Sequence, residues 1–379
     1  MSKHMEKKNP RILVACGGTS GHINPALAIA EEIRRRRPGT EFLFVGTKNH
    51  LEAELVPRAG FPIRFIEVSG LSRKKTSASL LHNLETGARF LRARREVRHM
   101  IREFRPDLMI GTGGYVSAPV LSAALSMHVR ILIHEQNAFA GVTTKLYAAR
   151  VDRVLLSFPL AKPLKVPENQ TVLVGDPVQR EFGSMTRAQA REALGIAPDE
   201  TMVLSYGGSL GAKKLNEIFC EMVRLSVRDG LITHYHAAGG GYDFTMEALG
   251  EDAHCPKIHI LPYVYNMPQM MAAADLVIAR SGAGTVTELQ AAGRASILIP
   301  SPNVTENHQF YNAKTLSDIG ASVLLEEKDT DGARLYEEIQ KIVFDQTRKT
   351  GMEQKAASAF RADTLDLIYR EVEALLPQT

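Results

Sequence analysis

The chain has 379 residues, 44% hydrophobic and 23% charged, which fits a soluble globular protein of two or three domains and excludes a disordered, collagenous or coiled-coil chain. The net charge of +4 hides a balance of +11 over residues 1–105 and −7 over the rest, so the first part is expected to meet something anionic, either nucleic acid or an acidic membrane surface. No apolar stretch reaches the roughly 18 residues of a membrane span, the polar residues 1–10 do not read as a signal peptide, and three scattered cysteines (Cys16, Cys220, Cys255) predict a reduced cytosolic protein with no cysteine metal site.

In chain order, short apolar runs alternate with amphipathic stretches. Ile12–Ala15, Phe42–Val45, Leu108–Ile110, Ile131–Ile133 and Val154–Leu156 read as buried strands, with helices such as Pro25–Arg37 and Ser117–Met127 between them. The second half repeats the rhythm at Met202–Ser205, Ile232–Tyr235, Leu276–Ala279, Ser296–Ile299 and Ser322–Leu325. Continuous apolar strands separated by helices imply parallel sheets covered on both faces. One internal similarity sets the expected architecture. Ile12-Leu13-Val14-Ala15-Cys16 runs into Gly17-Gly18-Thr19-Ser20-Gly21, and Met202-Val203-Leu204-Ser205-Tyr206 runs into Gly207-Gly208-Ser209-Leu210-Gly211. Two doubly wound Rossmann-like domains follow, residues 10–174 and 175–360, with the break at Gly175-Asp176-Pro177. The cleft between them is the expected ligand site.

A glycine loop opening a helix presents backbone amides to an anion, usually phosphate; the alternative is a tight turn and nothing more. Gly111-Thr112-Gly113-Gly114-Tyr115 makes a third such loop. Neither of the matching loops has the Gly-x-Gly-x-x-Gly spacing of a dinucleotide site, no carboxylate closes the second strand, and there is no Walker loop. Four polar residues, His134-Glu135-Gln136-Asn137, follow a buried strand and are expected to line the cleft. After Leu276–Ala279 the run Arg280-Ser281-Gly282-Ala283-Gly284-Thr285-Val286-Thr287-Glu288 opens a helix, and Glu288 either accepts from a ribose diol or complements the helix dipole. His22 either acts as a general base or packs. Asp329-Thr330-Asp331 has the form of a metal-binding Asp-x-Asp, but its place before a helix favours a turn or N-cap. No residue cluster predicts a bound metal.

The ordered set Gly17-Gly18-Thr19-Ser20-Gly21-His22-Ile23-Asn24-Pro25, Gly113-Gly114-Tyr115-Val116-Ser117, His134-Glu135-Gln136-Asn137, Gly207-Gly208-Ser209-Leu210-Gly211-Ala212, Arg280 to Glu288 and His308-Gln309-Phe310-Tyr311-Asn312-Ala313 resembles the MurG glycosyltransferases over Ile12 to Leu376. The resemblance implies a GT-B α/β fold, with residues of about 361–377 forming a helix that returns to the first domain. It implies inverting transfer of GlcNAc from UDP-GlcNAc to the MurNAc C4 hydroxyl of undecaprenyl-pyrophosphoryl-MurNAc-pentapeptide (lipid I), giving lipid II of peptidoglycan. No metal cofactor is obligatory, because amides and a helix N-terminus can stabilise the leaving UDP. By resemblance, Val264 meets uracil, Glu288 the ribose, and Ser209 with Ala283, Gly284, Thr285, Val286 and Thr287 the diphosphate. Gln309 and Asn137 hold the sugar, and Thr19, Ser20 and Gly21 face it. Gly17, Gly18, Gly113, Gly114 and Tyr115 serve the acceptor.

His22 is the first candidate base and Glu135 the second. Family members often read Gly-Asn-Pro-Val-Arg, whose Arg contacts the nucleotide. This chain has Gly175-Asp176-Pro177-Val178-Gln179-Arg180, so either Gln179 or Arg180 takes that part. Rival readings are a UDP-sugar epimerase, a diacylglycerol galactosyltransferase and a non-catalytic lipid-carrier-binding protein. Between Arg73 and Arg105 lie ten Lys/Arg against Glu85, Glu96 and Glu103, interleaved with Leu80, Leu81, Leu84, Phe90 and Leu91. Either this is a solvated helix with its leucines inward, or it docks a peripheral protein on the inner face of the plasma membrane, where the acceptor's tail resides. Nucleic acid is then no longer an expected partner.

Overall fold

The structure is a computed structural model and describes residues 9–69, 77–208, 211–304 and 307–377. Its contacts divide the chain into two units, one running to Pro177 and resuming at Asp363, the other spanning Val178–Ala362.

In the first unit the apolar runs become parallel strands: β1 (Arg11–Ala15), β2 (Glu41–Gly46), β3 (Ile63–Phe65), β4 (Leu108–Gly111), β5 (Arg130–Glu135), β6 (Arg153–Leu156) and β7 (Thr171–Leu173). Their order is β3-β2-β1-β4-β5-β6-β7, so the winding reverses between β1 and β4. The loops leaving those two strands meet at the strands' carboxyl ends, the edge at which doubly wound sheets bind ligands. The connecting helices are α1 (Ser20–Arg36), α2 (Glu52–Arg58), α3 (Ser77–Phe104), α4 (Ser117–Ser126) and α5 (Val142–Tyr147). Alternation along β1 feeds both faces of the sheet. Ile12 and Val14 pack with Ile29 and Ile33 of α1, while Leu13 and Ala15 pack with Val97 and Ile101 of α3 and Val120 of α4. Each such side chain, fully buried, contributes about 1.5–3 kcal/mol.

The second unit holds β8 (Thr201–Tyr206), β9 (Ile232–Ala237), β10 (Ile258–Leu261), β11 (Leu276–Ala279), β12 (Ser296–Leu298) and β13 (Ser322–Leu324), parallel in the order β10-β9-β8-β11-β12-β13. Its switch point lies between β8 and β11. The helices are α6 (Arg187–Leu194), α7 (Lys213–Asp229), α8 (Tyr242–Leu249), α9 (Met267–Ala273), α10 (Ala283–Ala292), α11 (His308–Ser317), α12 (Gly332–Val343) and α13 (Gln346–Ser358). The sequence dictates several of their ends. Thr186 and Gln189 close a capping box on α6, and Gly195 ends it in the left-handed region at φ 70°. Asp331 caps α12 through the Arg334 amide at 2.8 Å, so Asp329-Thr330-Asp331 is a helix start. The last helix, α14 (Thr364–Leu375), returns to the first unit, where Ile368, Val372 and Leu375 join the core beside Ile12 and Val14. No described helix is long and apolar enough to cross a membrane.

Three strands are missing from the sequence reading: β3, β7 and β10. Each is an edge strand; Arg64 interrupts β3 and His259 interrupts β10, while β7 is only three residues long and holds Val172-Leu173.

Candidate functional site

In the first unit the predicted residues gather on the loops after β1, β4 and β5. Thr19 precedes α1 in extended backbone, and its carbonyl accepts the His22 amide at 3.0 Å, which seats His22 in the first turn. The half-buried His22 points its Nδ1 at the Thr112 carbonyl, 3.0 Å away, and at Gln136 Oε1, 3.2 Å away. A carbonyl oxygen can only accept, so Nδ1 carries a proton, and in the neutral ring Nε2 keeps its lone pair. Among the described residues none bonds to Nε2. This is the form of imidazole that can take a proton. Gly113 makes room for the ring, since a β-carbon there would lie 2.7 Å from His22 Nδ1 on a backbone already at φ 107°. Gly114, at φ 79°, leaves no space between itself and the Gly17 carbonyl.

Glu135 is buried and fully engaged. Its Oε1 accepts the Asn137 amide at 3.2 Å, and its Oε2 accepts the Gly141 amide at 2.8 Å and the Thr144 hydroxyl at 2.6 Å. It therefore ties the β5 loop to the start of α5. His134, Glu135 and Gln136 were expected to line the cleft, but all three are buried and bonded inward, and Asn137 alone of the four stays half-buried. The physical reason is that β5 extends through Glu135, which draws these side chains into the sheet layer.

The sequence reading missed Glu52. This fully buried carboxylate on α2 accepts the Gly18 amide at 3.2 Å, the Thr47 amide at 3.0 Å and the Thr47 hydroxyl at 2.6 Å. The Gly18 amide is thus already bonded to a negative charge, and phosphate there would meet repulsion. The first glycine loop is a shaped turn with Glu52 behind it. Tyr115 packs across from Gly18, and burial pushes its phenol pKa up.

In the second unit, α10 starts at Ala283 behind Gly282, which supplies no side-chain cap. The leading amides of Ala283, Gly284 and Thr285 thus form a helix N-terminus suited to an anion. Val286, Thr287 and Glu288 are buried in the same helix. Glu288 sits near Tyr206 at the end of β8, whose phenol pKa is raised chiefly by burial and further by that carboxylate. Arg280 is held by the Ile299 and Pro300 carbonyls at 3.0 and 3.1 Å and pairs with Glu327. Gln309, on α11, accepts the Ser301 amide at 2.8 Å through Oε1, and its side-chain N–H groups have no partner among the described residues. A cavity of about 520 Å³ is lined by Gly207, Gly211, Lys213, Arg280, Ser301 and Gln309 among others, a size that suits a small ligand. Val264 and the residues from Ala283 to Glu288 do not line it. Val264 is buried after β10, Gln179 is half-buried and Arg180 exposed. Ser209 lies outside the described residues, as do Arg73, Lys74 and Lys75 and the side chains of Leu80, Leu81 and Leu84.

Two parallel α/β units, each opening a glycine loop into a helix at its switch point, are the architecture of GT-B glycosyltransferases. The chain matches the glycosyltransferase family 28 N-terminal domain over residues 12–156 and the family 28 C-terminal domain over residues 202–368. It is 42% identical over 367 residues to the UDP-N-acetylglucosamine--N-acetylmuramyl-(pentapeptide) pyrophosphoryl-undecaprenol N-acetylglucosamine transferase of Acetivibrio thermocellus, covering 97% of this chain and 98% of that one. The enzyme of the same name from Alkaliphilus oremlandii is 38% identical over 97% of this chain and 99% of its own. The crystal structure of Acinetobacter baumannii MurG is similar with a TM-score of 0.67 at 26% identity, covering 97% of this chain and 99% of that chain. The chain belongs to glycosyltransferase family 28 and, within it, to the MurG family of N-acetylglucosaminyltransferases. That membership sets aside the epimerase, galactosyltransferase and non-catalytic readings.

Proposed function

We propose that this protein transfers GlcNAc from UDP-GlcNAc to the C4 hydroxyl of MurNAc in lipid I, with inversion, to give lipid II. Its similarity to the named transferases along 97% of the chain supports the substrates. The observation that carries the chemistry is the His22 ring, held as the Nδ1–H tautomer with Nε2 unbonded among the described residues. In a single displacement the acceptor oxygen bonds to the sugar C1 while the bond from C1 to the diphosphate oxygen breaks. Nε2 of His22 takes the hydroxyl proton, and UDP carries away the electron pair. The helix N-terminus at Ala283 to Thr285 stabilises the charge developing on the diphosphate. Gln309 and Asn137 hold the sugar, and Val264 and Glu288 hold the nucleoside, with Gln179 or Arg180 beside it. Thr19, Ser20 and Gly21 face the sugar, and Gly17, Gly18, Gly113, Gly114 and Tyr115 shape the acceptor's place. Transfer of labelled GlcNAc to a short-chain lipid I analogue tests the reading, and absence of a disaccharide product refutes it.

The ribose assignment has its own expected result. Glu288→Gln keeps the size but weakens charge-assisted bonds worth about 1.5–3 kcal/mol. The donor KM rises while the acceptor KM stays near wild type. An unchanged donor KM in a folded variant refutes the assignment.

The lipid acceptor also calls for a membrane-facing surface, and we place it on the first unit. On α3, Ala93, Val97 and Ile101 are buried, while Arg89, Arg92, Arg95 and Arg102 are exposed and Leu91 is 63% exposed. Basic residues near an anionic bilayer contribute about 1 kcal/mol each, screened by salt. Changing Lys74, Lys75, Arg92 and Arg95 together to Gln weakens sedimentation with phosphatidylglycerol vesicles and largely spares activity on a soluble acceptor. Salt-insensitive or absent vesicle binding by the wild type rejects the surface.

A further inference from the structure

Behind His22 lies a row of buried polar atoms whose donors and acceptors can be assigned in one way only. His134 Nε2 is 3.1 Å from the Gly175 carbonyl. That oxygen can only accept, so Nε2 of His134 is protonated and its Nδ1 is bare. Gln136 Nε2 lies 3.0 Å from His134 Nδ1 and 3.1 Å from the His134 carbonyl. Both are acceptors, so the amide NH2 must sit at this end and its oxygen at the other. The oxygen in turn faces His22 Nδ1 at 3.2 Å, an N–H already required by the Thr112 carbonyl. Flipping the Gln136 amide would set oxygen against two acceptors and NH2 against an N–H.

The row is also shielded. His134 and Gln136 are almost fully buried, and burial lowers the His134 pKa to about 4, so it stays neutral where the enzyme works. The Ser157 hydroxyl, 3.4 Å from His134 Nε2, donates to Asp176 Oδ1 at 2.9 Å, which adds a second support at the same end. A free imidazole exchanges between tautomers. Here the exchange is opposed by a chain anchored in backbone at Gly175 and Thr112, and a carbonyl-like acceptor waits beside Nδ1 for the positive charge that forms when Nε2 takes a proton.

We propose that Gln136 and His134 are positioning residues that hold His22 in the Nδ1–H tautomer and stabilise its imidazolium, through hydrogen bonds ending at the Gly175 carbonyl. The inference deepens the reading of His22 as the base and rests on it. It is tested in two measurements on the full chain. The first is kinetic. Gln136→Met removes the acceptor at near-constant volume, so kcat falls about tenfold or more while the donor KM holds. In a His22→Ala background the same change lowers kcat no further, because residues acting as one unit are not additive. Equal losses in both backgrounds overturn the proposal. The second is spectroscopic and does not depend on any variant folding. In wild-type protein labelled with ¹⁵N-histidine, His22 and His134 show opposite tautomers, Nδ1–H for His22 and Nε2–H for His134. His22 found as Nε2–H overturns the proposal. The base reading fails separately, when His22→Ala leaves kcat near wild type although the tautomers are as stated.

Discussion

His22→Ala lowers kcat by about 10²-fold or more, the loss expected when a positioned general base is removed. UDP affinity measured by calorimetry is unchanged, because the residues proposed to hold the nucleotide lie in the second unit and His22 in the first. The expectation follows from atoms, since Nδ1 is committed to the Thr112 carbonyl and Nε2 has no partner among the described residues. Glu135, the other candidate, would have to release the Asn137 and Gly141 amides and the Thr144 hydroxyl to act as a base. Doing so would leave buried donors unsatisfied at about 1–3 kcal/mol each. A kcat within a few-fold of wild type in a folded His22→Ala variant would pass the role to Glu135.

Asp275→Ala destabilises the second unit by about 3–5 kcal/mol, the loss typical when one partner of a buried ion pair is removed. Asp275 lies just before β11. Its Oδ2 accepts from Arg191 at 2.6 Å and from the Met202 amide at 2.9 Å, and its Oδ1 accepts from Lys349 at 2.8 Å. Arg191 is on α6, Met202 on β8 and Lys349 on α13, so one carboxylate joins three elements ahead of β11. Without it, Arg191 and Lys349 remain as buried cations. Burial alone would raise the Asp275 pKa, but the Lys349 and Met202 hydrogen bonds and the neighbouring positive charges hold it below the usual value. The sign is that of a depressed acid. The stabilisation is present above the unfolded carboxyl pKa of about 3.9 and is lost as pH falls through the lower folded value. Denaturant unfolding at pH 7, followed by circular dichroism, reads the difference. A loss below about 1 kcal/mol would refute this role for Asp275.

Apolar periodicity was enough to read the parallel sheets and their central strands, because a central parallel strand buries both faces and must be apolar along its length. Periodicity was silent at two edges where a charged or polar residue breaks the run, Arg64 in β3 and His259 in β10, but it did read the edge strand β13. The repeated Gly-Gly-(Ser/Thr)-x-Gly likewise marked both strand–loop–helix openings correctly as local structure. What each loop does was not local. In the first, Glu52 occupies the Gly18 amide from 34 positions away, across the turn after β2.

His134-Glu135-Gln136-Asn137 shows the same division most sharply. The sequence by itself determined that four polar residues follow a buried strand, that His22 opens a helix, and, through its ordered motifs, the family. Only the tertiary structure decided that Glu135 ties down a loop and that Gln136 and His134 face inward behind His22. Proton placement on an imidazole depends on which atoms lie within about 3 Å. Those neighbours come from Thr112, Gln136 and Gly175, residues that meet His22 and His134 only when the parallel sheet brings the ends of its strands together.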